Sequence, residues 1–87
     1  MAYYRVIDFH SHVLPGIDDG SKDVETSLAM LRVMREQNVD ICVATPHFYG
    51  DRQQLSAFLA QRSMARERLS QHLESGMPQI VLGAEVA

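Results

Sequence analysis

The segment Asp8-Phe9-His10-Ser11-His12 carries the densest chemistry in the sequence. Side chains alternate between faces along an extended strand, so Asp8, His10 and His12 are expected on one side. Two imidazoles placed this way at a strand end can share a metal ion. They can equally be a polar terminus facing water, because the spacing alone arises by chance. His47 follows Thr45-Pro46, Glu85 stands in the last apolar run, and Asp18 and Asp19 fall in Leu14-Pro15-Gly16-Ile17-Asp18-Asp19-Gly20. Pro15, Gly16 and Gly20 favour tight turns there. Imidazole and carboxylate donors suit manganese, iron or zinc, and no thiolate set is present for a structural zinc. A carboxylate such as Glu85 can bridge two ions, and ions about 3.5–4 Å apart can hold a hydroxide and clamp a phosphoryl oxygen. Asp8 would accept a hydrogen bond from a ligand imidazole and fix its tautomer; pairing with Arg5 or capping a turn is the plainer alternative.

Three apolar runs and two amphipathic stretches must position these groups. The runs Tyr3 to Phe9, Asp40 to Thr45 and Gln79 to Val86 read as strands, the second stopped by Pro46 and the third preceded by Gly76-Met77-Pro78. Between the first two, Val24, Leu28, Leu31 and Met34 recur at helical spacing, with Ser21 or Asp23 as the cap. Between the second and third, Leu55, Phe58, Leu59, Ala65, Leu69 and Leu73 form another stripe, ending near Gly76. The order β-α-β-α-β implies right-handed crossovers and parallel strands. All carboxyl ends of such strands lie at one sheet edge, where α/β active sites are built. His10, His12, His47 and Glu85 should therefore share one mouth.

The remaining residues narrow the function classes. The chain has 87 residues with eight Lys and Arg against eleven Asp and Glu, a net charge of −3. No basic field is available for nucleic acid or an anionic membrane. No apolar run approaches the roughly 20 residues that span a bilayer, and the N-terminus lacks the pattern of a signal peptide. With Cys42 as the one cysteine, a cytoplasmic location is expected. Cys42 reads as a small buried hydrophobe. A cysteine phosphatase would need an arginine six positions on, where Phe48 stands. Phe48, Tyr49 and Arg52 could contact an aryl phosphate at the mouth, although helix entry and packing account for them as well. His72, Arg62, Arg66 and Arg68 read as a solvated helix face, and Met30, Met34 and Met64 as core filler. A (β/α) barrel takes roughly 250 residues, so this sequence reads as the front end of a larger domain. Half-built sheets present open edges, which makes pairing with another copy a prospect.

At Ile7-Asp8-Phe9-His10-Ser11-His12 with Leu14 to Gly20, then Ala44-Thr45-Pro46-His47 and Gly83-Ala84-Glu85, the sequence resembles the polymerase and histidinol phosphatase (PHP) superfamily. Within it, the likeness is to the bacterial metal-dependent tyrosine-protein phosphatases of capsular and exopolysaccharide clusters. The resemblance implies the N-terminal β-α-β-α-β portion of a distorted (β/α)7, TIM-like barrel spanning residues 1–87 here. It implies two or three divalent ions, manganese favoured and iron or zinc alternatives. By motif, His10 and His12 would hold the first ion, Glu85 would bridge the first and second, and Asp19 and His47 would serve a third. Asp18 and Asp8 would support these ligands. The implied reaction is hydrolysis of phosphotyrosine on a tyrosine autokinase by a metal-bound hydroxide, without a phosphoenzyme. The late histidines and Asp-x-His of the family have no counterpart before Ala87. Histidinol phosphate or a nucleotide phosphoester would be alternative substrates for the same barrel, and a non-catalytic, self-associating fragment is the non-enzyme alternative. Amidohydrolases share His-x-His but not the Asp-Asp-Gly loop.

Overall fold

In a computed structural model, described here for residues 5–86, helix α1 (Val24–Glu36) forms where the 3.6-residue stripe predicts it. Asp23 caps it: its extended backbone lets the carboxylate accept from the Thr26 N–H at 2.7 Å. Leu28, Leu31 and Met34 turn to the core, joined by Val13, Leu14, Cys42, Ala44, Ala65, Leu69 and Ile80. Ser27 is buried on the same helix. Its hydroxyl donates to the Val13 carbonyl and meets the Ser21 hydroxyl at 2.6 Å, so the buried polar atoms are paired.

The strands are β1 (Ile7–Ser11), β2 (Ile41–Ala44), β3 (His47–Phe48), β4 (Gln79–Leu82) and β5 (Glu85–Val86). They form a three-stranded parallel sheet in the order β1-β2-β4 and a two-stranded parallel sheet of β3 and β5. This corrects the expectation of three strands. Pro46 has no N–H, so the ladder ends after β2 and the chain pairs anew as β3. The apolar run from Gln79 to Val86 likewise breaks at Gly83-Ala84 into β4 and β5. The first strand lies two residues later than expected at its C-terminal end. The part of the Tyr3–Phe9 expectation that concerns Tyr3 and Tyr4 lies outside the described residues.

A register irregularity between Asp8 and Ser11 also overturns the simple alternation. Asp8 pairs with Cys42 and thus shares the face of that buried residue, while Ser11 pairs with Ala44 on the same face three residues later. His10 and His12 keep their common side; Asp8 does not share it.

Helix α2 (Leu55–Ser70) buries Phe58, Ala65 and Leu69, while Leu55 and Leu59 stay exposed. It ends before Leu73, a turn short of the expected stripe. Met64 is exposed rather than core filler, whereas Met34 is buried and Met30 packs against the core. Arg68 is tethered rather than free, its Nη2 donating to the Pro15 carbonyl at 3.1 Å. Among the described residues, no helix is long and apolar enough to cross a membrane.

Candidate metal centre

Three strand ends and one loop converge at the carboxyl edge of the sheets. The end of β1 is pinned to that of β2, since the Thr45 N–H donates to the Ser11 carbonyl at 2.7 Å and Thr45 Oγ1 accepts from the Ser11 N–H at 3.1 Å. This fixes the backbone between His10 and His12. The next residues, Val13, Leu14 and Pro15, are fully buried and anchor the loop that follows. The loop then returns to His12, where the Ser21 N–H donates to the His12 carbonyl at 3.0 Å.

The β3–β5 pairing sets His47 directly opposite Glu85. The Glu85 N–H donates to the Pro46 carbonyl at 2.9 Å and the Gly83 N–H to the Ala44 carbonyl at 2.7 Å, which fastens this small sheet to the end of β2. Glu85 then reaches three imidazoles. Oε1 lies 3.0 Å from His10 Nε2, and Oε2 lies 2.5 Å from His47 Nδ1 and 3.9 Å from His12 Nε2. His10 and His12 approach each other through their Nε2 atoms at 3.1 Å. The rings of His12 and His47 stack at 4.6 Å, and Tyr49 stacks on His47 at 5.6 Å.

Asp18 joins two of these histidines. Its Oδ2 lies 2.9 Å from His12 Nδ1 and accepts from the His47 backbone N–H at 3.1 Å, while Oδ1 accepts from the Gly20 N–H at 2.9 Å. Burial by itself would raise the Asp18 pKa. The bonds from His12, Gly20 and His47 outweigh it and hold the carboxyl below its ordinary value. Asp18 therefore stays ionised, and it ties the loop to both strand ends.

The donor set fits a divalent cation. Two groups of donor atoms lie within 4.8 Å of one another, His10 with His12 and Glu85, and His12 with Asp18 and His47. Ligands about 2.0–2.2 Å from one ion stand roughly 3–4 Å apart, which is the separation seen here. The two groups share His12, whose Nδ1 is bonded to Asp18, so its Nε2 is the atom left to an ion beside His10 and Glu85, with His47 and Glu85 facing each other across the edge.

The structure thus brings together His10, His12, His47 and Glu85. Of the two aspartates it places Asp18 inside the cluster. Asp19 stands at its rim, its side chain 84% exposed and its Oδ1 3.4 Å from His47 Nε2, within the separation of two ligands of one ion. Asp8 Oδ1 accepts from the His10 backbone N–H at 3.1 Å instead of an imidazole. Phe48 turns away from the mouth to pack on Phe58, ring centres 4.9 Å apart. Arg52 lies over the Tyr49 ring at 5.0 Å. Sequence reasoning missed Arg62, assigned to a solvated face, whose Nη1 donates to the Gly83 carbonyl at 2.8 Å. Its spacing of four from Phe58 was the available signal. His72 is exposed, as a surface residue should be. Cys42 is buried, and burial pushes its thiol pKa up.

Known proteins share this arrangement of elements. The chain matches a solved structure with a TM-score of 0.70 and 29% identity over 93% of its own length, one of the crystal structures of YwqE from Bacillus subtilis and CpsB from Streptococcus pneumoniae, metal-dependent tyrosine phosphatases. It is 43% identical over 42 residues to the tyrosine-protein phosphatase YwqE of Bacillus subtilis and, over the same length, to the tyrosine-protein phosphatase CpsB of Streptococcus agalactiae. Those 42 residues are 48% of this chain. The chain itself spans 33% of the matched structure, and the alignments cover 16% and 17% of these two relatives. The model of the CpsB/CapC family of capsular polysaccharide synthesis matches residues 6–87, and the chain belongs to that family.

Proposed function

We propose that the protein is a metal-dependent phosphoester hydrolase, a protein-tyrosine phosphatase that acts on a tyrosine autokinase in polysaccharide biosynthesis. Residues 1–87 are then the N-terminal part of a single PHP barrel. The observation that carries this reading is the meeting of one carboxylate, Glu85, with the imidazoles of His10, His12 and His47 at a single sheet edge. It is supported by relatives named as tyrosine-protein phosphatases.

His10, His12 through Nε2, and Glu85 would hold one ion, and His47 would serve a neighbouring one with Asp19 at its rim, while Asp18 supports His12 through Nδ1. Bound divalent ions, manganese foremost, would supply an acidified water and neutralise charge growing on the phosphoryl oxygens. The chain's own part is orientation. Asp18 fixes which nitrogen of His12 faces the cluster and holds the His47 backbone in register. Tyr49 stacks on His47 and Arg52 lies over Tyr49, so the pair would offer an aromatic edge and a guanidinium to an aryl phosphate.

The test is hydrolysis of a phosphotyrosine peptide by the full-length protein with manganese. A chelator should abolish activity and manganese restore it, and His10→Ala and Glu85→Ala should each lower kcat/KM by 100-fold or more. Unchanged activity in both variants would refute the reading. Preference for a small phosphomonoester over the peptide would move the assignment to another substrate of the same barrel.

A further inference from the structure

We infer that Arg62 is a positioning residue for Glu85, holding the β4–β5 turn so that the carboxylate faces His47 and His10. The inference rests on the metal-centre reading above. It starts from the shortness of the second sheet: β3 and β5 have two residues each, and ladders this short leave the strand direction poorly determined. Helix α2 grips both halves. Phe58, 1% exposed, packs on Phe48, the neighbour of His47. One turn later, Arg62 passes over the Phe58 ring, its Cζ 5.8 Å from the ring centre, and donates from Nη1 to the Gly83 carbonyl, two residues before Glu85.

Arg62 Nε is buried and has no acceptor among the described residues. A buried unpaired donor is costly. An apolar side chain could cover Phe58 without that cost, so it is the guanidinium's bond to Gly83 that gives this position a polar residue. With the Gly83 N–H bonded to Ala44 and its carbonyl to Arg62, the peptide groups on both sides of Gly83 are held, and Glu85 follows in a fixed direction.

The test uses the full-length protein and manganese ions alone, with affinity measured by equilibrium dialysis and the site read by the absorption spectrum of bound cobalt. Arg62→Met should weaken manganese binding about 10-fold or more and alter the cobalt spectrum. Arg62→Lys, which keeps a donor within reach of Gly83, should recover most of the loss. Leu69→Ala, a core change at the far end of α2, should lower thermal stability with affinity kept within about twofold. Should Arg62→Met not fold, Arg62→Gln, polar but too short to reach Gly83, carries the same expectation. If the wild type binds manganese and the Arg62 variants match it, the inference fails while the metal centre stands. If Leu69→Ala weakens binding as much as Arg62→Met, the role is merely structural and the inference again fails. If the wild type binds no manganese, the metal centre fails and takes this inference with it.

Discussion

Gly20 is where a single added carbon should do the most damage to the site. A Cβ there would lie 2.3 Å from the His12 Cβ and 2.5 Å from the His12 carbonyl oxygen. Carbon atoms rest about 3.5–4.0 Å apart, so the two segments must separate by about 1.2 Å or more. The obstruction is mainly His12's backbone and first side-chain carbon, so no rotamer change relieves it. The segments are also tied together, by the Ser21 N–H to the His12 carbonyl and by the Gly20 N–H to Asp18. His12 must therefore move with the loop or lose both the loop and the Asp18 contact. Either way its Nε2 leaves its place 3.1 Å from that of His10. A misplacement of about 1 Å at a reacting centre can cost about 100-fold in rate, equivalent to about 2.7 kcal/mol. Overpacking itself destabilises by about 1–3 kcal/mol. Gly20→Ala in the full-length protein should thus lower kcat/KM on a phosphotyrosine peptide by about 100-fold and weaken manganese binding in parallel. Gly50→Ala is the control, since its Cβ would meet only the Phe48 ring at 3.7 Å, an ordinary contact. Wild-type affinity and rate in Gly20→Ala would refute the claim that this loop sets the position of His12.

Two further outcomes test the fold beneath the site. Leu31 is fully buried between helix and sheet, so Leu31→Ala should destabilise by about 2–5 kcal/mol in urea unfolding; a loss below about 1 kcal/mol would mean that this core is not formed. Glu74 accepts from Arg32 at 2.6 Å and from Arg35 at 3.2 Å, and the bond from Arg32 foremost holds its pKa below the ordinary value of 4.5. The stability from this cluster is fully present above pH 4.5 and is lost as pH falls through the lowered value. Glu74→Gln should flatten the acid limb of the stability profile and 0.5 M salt should shrink the difference, and an unchanged limb would contradict the pairing.

Helix α1 was legible because its apolar spacing, its Asp23 cap and its burial all agree, each resting on local chemistry. The meeting of His10, His12, His47 and Glu85 was legible for another reason. Parallel strands joined by helices leave little freedom about which edge their ends share, so residue order nearly determines proximity. The break at Gly83 was hidden because Ile80 to Ala84 is an uninterrupted apolar run that reads as one strand. What splits it is Pro46 in a different segment, which ends one ladder and starts another. The buried face of α2 differs from the apolar stripe because periodicity cannot tell a buried stripe from an exposed one. Leu55 and Leu59 fit the pattern and face outward.

Asp18 and Asp19 expose the limit most sharply. They are adjacent and identical in type, and both follow a Pro-Gly turn, so nothing in composition or spacing separates them. What separates them is the direction of two peptide N–H groups. Those of Gly20 and His47 both point at Asp18, which accepts them while reaching the His12 ring. The Gly20 N–H points that way only because a residue without Cβ lets the loop lie against His12. Which of two equal carboxylates lies against His12 is thus set by a glycine next to them and by the start of β3, 29 residues from Asp18. The same logic bears on Arg62, whose partner is a backbone carbonyl. Any residue offers a carbonyl, so no side-chain motif could announce that contact before the fold was known.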